Sequence, residues 1–163
     1  MTAFLLSIHL VAAILTIGPV AVATSMFPRA VRTATRDVGN KQAVASVRVL
    51  HRITRVYTVI ALAVPVFGLA TAASLGVLGQ AWLLVSVAIT AVAAGILIML
   101  ILPAQRLAMA TVDRAPSISS ADGTPAGRPV GLLAAQTGVF NLLWVVVVIL
   151  MVLRPGSTTG VGL

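Results

Sequence analysis

The chain has 163 residues, 60% of them hydrophobic and 9% charged, with a mean hydropathy of +1.12. Soluble domains carry about 25% charged residues, and disordered chains combine low hydrophobicity with high charge, so both classes are excluded. What remains is an all-α, polytopic membrane protein. Its length accommodates four spans of roughly 20 apolar residues each and leaves no room for a separate soluble domain.

The first apolar run covers residues 3–27 and is bounded by Pro28 and Arg29. It lacks a basic segment at its start and exceeds the roughly 7–15 apolar residues of a signal peptide, so it reads as a retained span. Gly18-Pro19 interrupts it. A proline removes one helix hydrogen bond and crowds the carbonyl four residues back, which predicts a kink near Leu15. Between the first two runs the basic residues are Arg29, Arg32, Arg36, Lys41, Arg48, Arg52 and Arg55, opposed by Asp37. Residues 41–55 contain no Gly or Pro. Val44, Val47, Leu50 and Ile53 recur at three-residue steps, with Arg48, Arg52 and Arg55 on a neighbouring face. This segment is expected to be a basic amphipathic extension lying near anionic lipid headgroups, with Asn40 as its N-cap.

The second run, 56–78, carries Pro65 and a small-residue stripe of Gly68, Ala72 and Gly76. The third, 81–103, follows after an uncharged turn at Gly79-Gln80 and carries Ala91 and Gly95. A connection over 104–129 holds Arg106, Arg114 and Arg128 with Asp113 and Asp122. It is expected to be a mobile loop, because 116–129 is rich in Ser, Gly and Pro. The fourth run, 130–153, carries Ala134 and Gly138 and ends at Arg154, where a tail over 154–163 begins. None of the four runs contains Asp, Glu, Lys or Arg, and each is long enough to cross the hydrocarbon. Small residues let helix backbones approach closely in lipid. Gly18, Pro19, Gly68, Ala72, Gly76, Gly95 and Gly138 are therefore expected to pack helix against helix.

Charge sets the expected orientation. Ten of the eleven basic residues fall in the two connections on one side, and Arg154 alone on the other. The positive-inside rule then places the basic connections in the cytoplasm and both termini outside. Arginines bordering apolar runs suit anionic lipid, so Arg48, Arg52 and Arg55 are the expected headgroup contacts, and nucleic acid is not an expected partner.

Within the spans the one readily titratable side chain is His9, roughly 9 Å inside the outer boundary. It is a candidate ligand for haem iron. The alternative is a neutral imidazole hydrogen-bonded to a neighbouring helix, with Thr71, Ser74 and Ser86 at similar depth. His51 belongs near the opposite face, too far away to share a metal with His9. Asn141 is expected to hydrogen-bond to another helix or subunit, Trp82 and Tyr57 to anchor the two interfaces, and Trp144 to lie deeper. The spans hold no carboxylate, and nucleotide loops, zinc motifs and catalytic triads are absent. An enzyme is not the expected reading.

The stretch from Ser7 through His9 to Gly18-Pro19, with 50–57 (Leu-His-Arg-Ile-Thr-Arg-Val-Tyr) and 65–70 (Pro-Val-Phe-Gly-Leu-Ala), resembles a bacterial family of four-helix integral membrane proteins of unknown function. A first-span histidine before a small-residue kink is also similar to copper-resistance membrane domains and to haem-associated protoporphyrinogen-oxidising proteins. The resemblance implies a bacterial plasma membrane, and for the latter two groups His9 is the matching histidine. The leading expectation is a structural or accessory membrane subunit that packs against other subunits or itself. The alternative is a haem b redox protein using His9, and the third reading is a small-solute channel or carrier.

Overall fold

The computed structural model describes residues 2–37, 39–114 and 127–156. Asp122 and the tail beyond Gly156 lie outside them, as does the Ser/Gly/Pro-rich stretch to residue 126. The side chain of Arg128 is likewise not described. Every element among the described residues is helical: α1 (Thr2–Arg36), α2 (Lys41–Ile60), α3 (Ala63–Leu75), α4 (Ala81–Gly95), a π-helical segment (Ile96–Ile101), α5 (Leu102–Arg114) and α6 (Gly127–Leu153). They form four rods, because α2 continues into α3 and α4 runs through the π segment into α5. All four are long and apolar enough to span a membrane. The protein is a four-helix, all-α membrane bundle.

Three rods are far longer than the apolar runs. At 34 or 35 residues each they reach about 50 Å, against roughly 30 Å of hydrocarbon. The excess lies at the basic end. There α1 continues past Pro28 to Arg36, α2 starts at Lys41, and α5 carries the third rod to Arg114. Residues 104–114 are therefore helix and not part of a mobile loop.

The extension also stands upright. Its apolar side is buried by other helices instead of resting on headgroups: Val47 is 1% exposed and packs in one cluster with Phe27, Val31, Ala34, Ala43 and Val112. The seam of α1 explains this. His9, Thr16, Val20, Ala23, Thr24, Phe27, Val31 and Ala34 are all buried and recur at helical spacing down one stripe. That stripe continues without a break from the apolar run into the basic end. Asn40 caps α2, its Oδ1 accepting from the Ala43 N–H at 3.0 Å, as the sequence suggests.

The prolines act differently from one another. α1 remains one helix through Pro19 and Pro28. Pro65 has no N–H for the Ala61 carbonyl, and that carbonyl instead takes the Val64 N–H three residues on, at 3.0 Å. The second rod breaks there into α2 and α3. Pro103 lies two residues past the π segment, whose C-capping Leu102 N–H reaches back five residues to the Leu97 carbonyl. A widened turn relieves the clash an α-helical Pro103 would make with the Met99 carbonyl.

Small residues divide between inside and outside. Ala72 is buried, and Gly68 packs against α1. Gly76 is no packing residue: it is the left-handed C-cap of α3 (φ 69°) and exposed, a backbone shape that glycine adopts freely. Gly18 and Gly138 are also exposed, and a Cβ at either, or at Gly95, would meet nothing within 4 Å. The stripes therefore pack the bundle only in part. Pro19 is half-buried.

Candidate functional site

Polar side chains in these spans mostly turn back on their own helix. Thr16, Thr24, Thr58, Thr71, Ser86 and Thr90 each donate to the carbonyl four residues earlier, at 2.6–2.8 Å. That arrangement satisfies a hydroxyl without a partner helix. Three places depart from it.

The first is His9, 6% exposed. Its Nδ1 lies 2.9 Å from the Val64 carbonyl oxygen. A carbonyl only accepts, so Nδ1 carries the proton and, in the neutral ring, Nε2 keeps the lone pair. The break before Pro65 sets Val64 at the start of α3, and Gly68, one turn on, makes room for the ring. A Cβ on Gly68 would sit 2.8 Å from His9 Cε1 and 3.1 Å from Nδ1, closer than atoms approach without displacement. The imidazole thus occupies the volume of the missing methyl and ties α1 to α3.

This geometry does not fit an iron porphyrin. A carbonyl-bound Nδ1–H is the tautomer of a metal-ligating histidine. However, the ring is 6% exposed and walled in, and the cavity of about 60 Å³ between Ile17, Val20, Phe140 and Trp144 does not include His9 in its lining. Ligand sites of drug size run roughly 300–1,000 Å³. Among the described residues no cluster of three or more His, Asp or Glu could hold a metal.

The second place is at the basic end. His51 Nδ1 lies 2.9 Å from Gln105 Oε1, and Gln105 Nε2 is 3.5 Å from Thr54 Oγ1. Gln105 and Thr54 are fully buried. One amide therefore joins α2 to α5, with Arg48 bonded to Asp113 at 2.7 Å farther along the same pair of helices. That ion pair is 63% and 51% exposed, so it contributes at most about 1 kcal/mol. Of the three arginines expected to meet headgroups, Arg48 is paired with a carboxylate, while Arg52 and Arg55 are exposed. His9 and His51 bond to different elements. The thirteen helical residues from His51 to Val64 separate them by about 20 Å.

Gln105 is the residue that sequence reasoning missed. It stood beyond an apolar run in what read as a loop. The available signal was its four-residue step from Leu97 and Ile101, both buried. Four-residue steps drift about 40° each in an α-helix, and the π segment absorbs that drift, keeping Gln105 aimed at α2.

The third place is α6. Asn141 Nδ2 donates to Ser25 Oγ on α1 at 3.0 Å, the expected interhelical bond. Four side-chain atoms on this helix are buried without a partner: Gln136 Oε1, Thr137 Oγ1, Asn141 Oδ1 and Trp144 Nε1. Beside them Gly131, Ala134, Ala135 and Gly138 are all exposed. Trp82, in contrast, is no exposed anchor. It is 8% exposed in a cluster with Ala72, Val77 and Leu83, its Nε1 donates to Gln80 Oε1, and the Arg154 guanidinium lies 5.6 Å from its ring centroid. Tyr57 is half-buried against the main core.

Comparison with protein families, with characterised proteins and with solved structures yields no match to this chain.

Proposed function

We propose that the protein is a small accessory subunit of a bacterial plasma membrane, without a catalytic centre of its own, whose α6 is completed by another membrane protein or a second copy. The observation that carries this reading is that α6 is unfinished within the chain. Its small residues face outward, where close helix approach is available, and among the described residues the buried polar side-chain atoms without a partner, on Gln136, Thr137, Asn141 and Trp144, all belong to it. In hydrocarbon such atoms have no water to turn to. The charge asymmetry supports placing the basic end in the cytoplasm and both termini outside. Arg52, Arg55 and Arg106, near the level of the Gln105 bridge, are then the residues that meet anionic headgroups.

The chain has no cysteine, so single-cysteine cross-linking in native membranes tests the proposal directly. Gly138→Cys should give a discrete cross-linked species, whereas Met99→Cys, at a position 76% exposed on the π segment, should give none. Equal or absent cross-linking at the two positions would sink the reading.

A further inference from the structure

A cavity of about 60 Å³ forms where the irregular parts of two rods, the α2–α3 break and the π segment, meet α1 and α6. Four of its lining residues, Ile17, Pro65, Ala94 and Phe140, fix its depth. Each lies within two residues of the middle of its apolar run, about 3 Å along a helix, so the floor of the cavity is near the middle of the hydrocarbon. Leu62 and Ile98, also in the lining, are 57% and 46% exposed. They stand five and six residues nearer the basic end than the middles of their runs, roughly 8–9 Å along each helix. The mouth they form opens sideways among the acyl chains of one leaflet. The wall is almost wholly apolar. Thr58 and Thr90 have committed their protons to backbone carbonyls. The Trp144 N–H has no accessible surface, so the indole presents ring carbon. A water molecule needs about two to four polar partners, which such a wall does not supply.

We infer that this cavity holds the methyl-terminated end of a lipid acyl chain, drawn from the leaflet at the basic end and entering between Leu62 and Ile98. Three observations select that occupant. The mouth meets hydrocarbon and the wall gives only dispersion contacts, so ions and hydrogen-bonding solutes gain nothing there. The volume of about 60 Å³ is roughly two-fifths of the cavity that takes a benzene ring, which leaves room for about two or three carbons in line and none for a ring. The floor also lies at the level where chains end, since a chain reaching in from its headgroup crosses half of the roughly 30 Å core. The inference does not rest on the accessory-subunit reading. Leu62 and Ile98 belong to the second and third rods, whereas that reading concerns α6.

Nuclear Overhauser contacts in nanodiscs test it on the unaltered protein. The lipid is deuterated phosphatidylcholine that keeps protons only on its terminal methyl groups or, in a second sample, only on its mid-chain methylenes. The side chains read are Phe140 and Leu97, which line the cavity and are 2% and 5% exposed, with Leu62 and Ile98 as lipid-facing references. Terminal methyls should give cross-peaks to all four side chains, and mid-chain methylenes to Leu62 and Ile98 alone. Ala94→Leu fills the cavity and should abolish the Phe140 and Leu97 cross-peaks while keeping those at the mouth. Ala91→Leu, at an exposed position on the same helix, should leave all four. The inference is overturned if terminal methyls reach Leu62 and Ile98 but not Phe140 and Leu97, or if methylenes reach the inner pair equally. Inner cross-peaks that persist in a folded Ala94→Leu variant, or that come from water, would also overturn it. If Ala94→Leu does not fold, the two lipid samples on the unaltered protein still decide.

Discussion

Gly68→Ala puts one methyl group where the His9 ring now lies. The new Cβ would be 2.8 Å from Cε1 and 3.1 Å from Nδ1, so the ring must move. It cannot move freely, because it is 6% exposed and held by the Val64 carbonyl. Overpacking a well-filled site costs about 1–3 kcal/mol, and an interhelical hydrogen bond lost in a membrane costs about 0.6 kcal/mol, at most about 1.7. Alanine returns up to about 1 kcal/mol through helix propensity, less where the unfolded state in micelles keeps its helices. The expected net destabilisation is about 1–3 kcal/mol. The assay is a double-mutant cycle with His9→Ala, read by unfolding in mixed micelles with increasing SDS. Once the imidazole is gone, Gly68→Ala should become neutral or mildly stabilising, giving a coupling of about 1–3 kcal/mol between the two positions. If Gly68→Ala costs the same with and without the imidazole, the glycine is small for some other reason and the α1–α3 clasp described here is wrong.

Two further outcomes follow from the other polar contacts. Gln105→Leu should destabilise the bundle by about 1–3 kcal/mol, because it leaves the His51 N–H without its acceptor. Gln105→Glu, which keeps an acceptor oxygen in place, should cost less than the leucine variant in the same unfolding assay, and the reverse order would show that shape and not hydrogen bonding governs the site. The purified protein should show no Soret absorbance, and His9→Ala should leave its visible spectrum unchanged. A Soret band lost in that variant would overturn the fit argued at His9.

The four spans were legible because lipid imposes a requirement that sequence meets openly: a run of 20 or more uncharged residues has few other uses. Asn40 was legible for a local reason, since a cap needs only its own helix's first turn. What could not be read was which side of each rod faces inward. In a soluble helix polarity marks the outside, but here Thr16, Thr24, Thr71 and Ser86 are buried while Phe4, Ile14 and Met99 are among the most exposed side chains. The polarity rule runs in reverse, and hydroxyls bonded to their own backbone blur even that. Helix ends failed for a related reason. Pro28 and Pro103 look like stops, yet a helix held on its neighbours through Phe27 and Val31, or widened ahead of the ring, continues through them.

The upright basic extension changes what the arginines can do. A helix lying on headgroups would bring Arg48, Arg52 and Arg55 to lipid together. In a standing helix, the fourteen steps from Lys41 to Arg55 rise about 21 Å, between two and three Debye lengths at physiological salt. On the orientation proposed above, residues near Arg55 would sense the anionic surface, whereas Arg36 and Lys41, at the far turn, would lie beyond its screened field. Val47, Phe27 and Val31 hold the extension in that posture by burying the face that would otherwise enter the headgroup layer, with the Gln105 amide as its polar pin. On that proposal the basic residues divide by height, the lower ones setting the depth of the bundle in the membrane and the upper ones keeping the three-helix projection in solution.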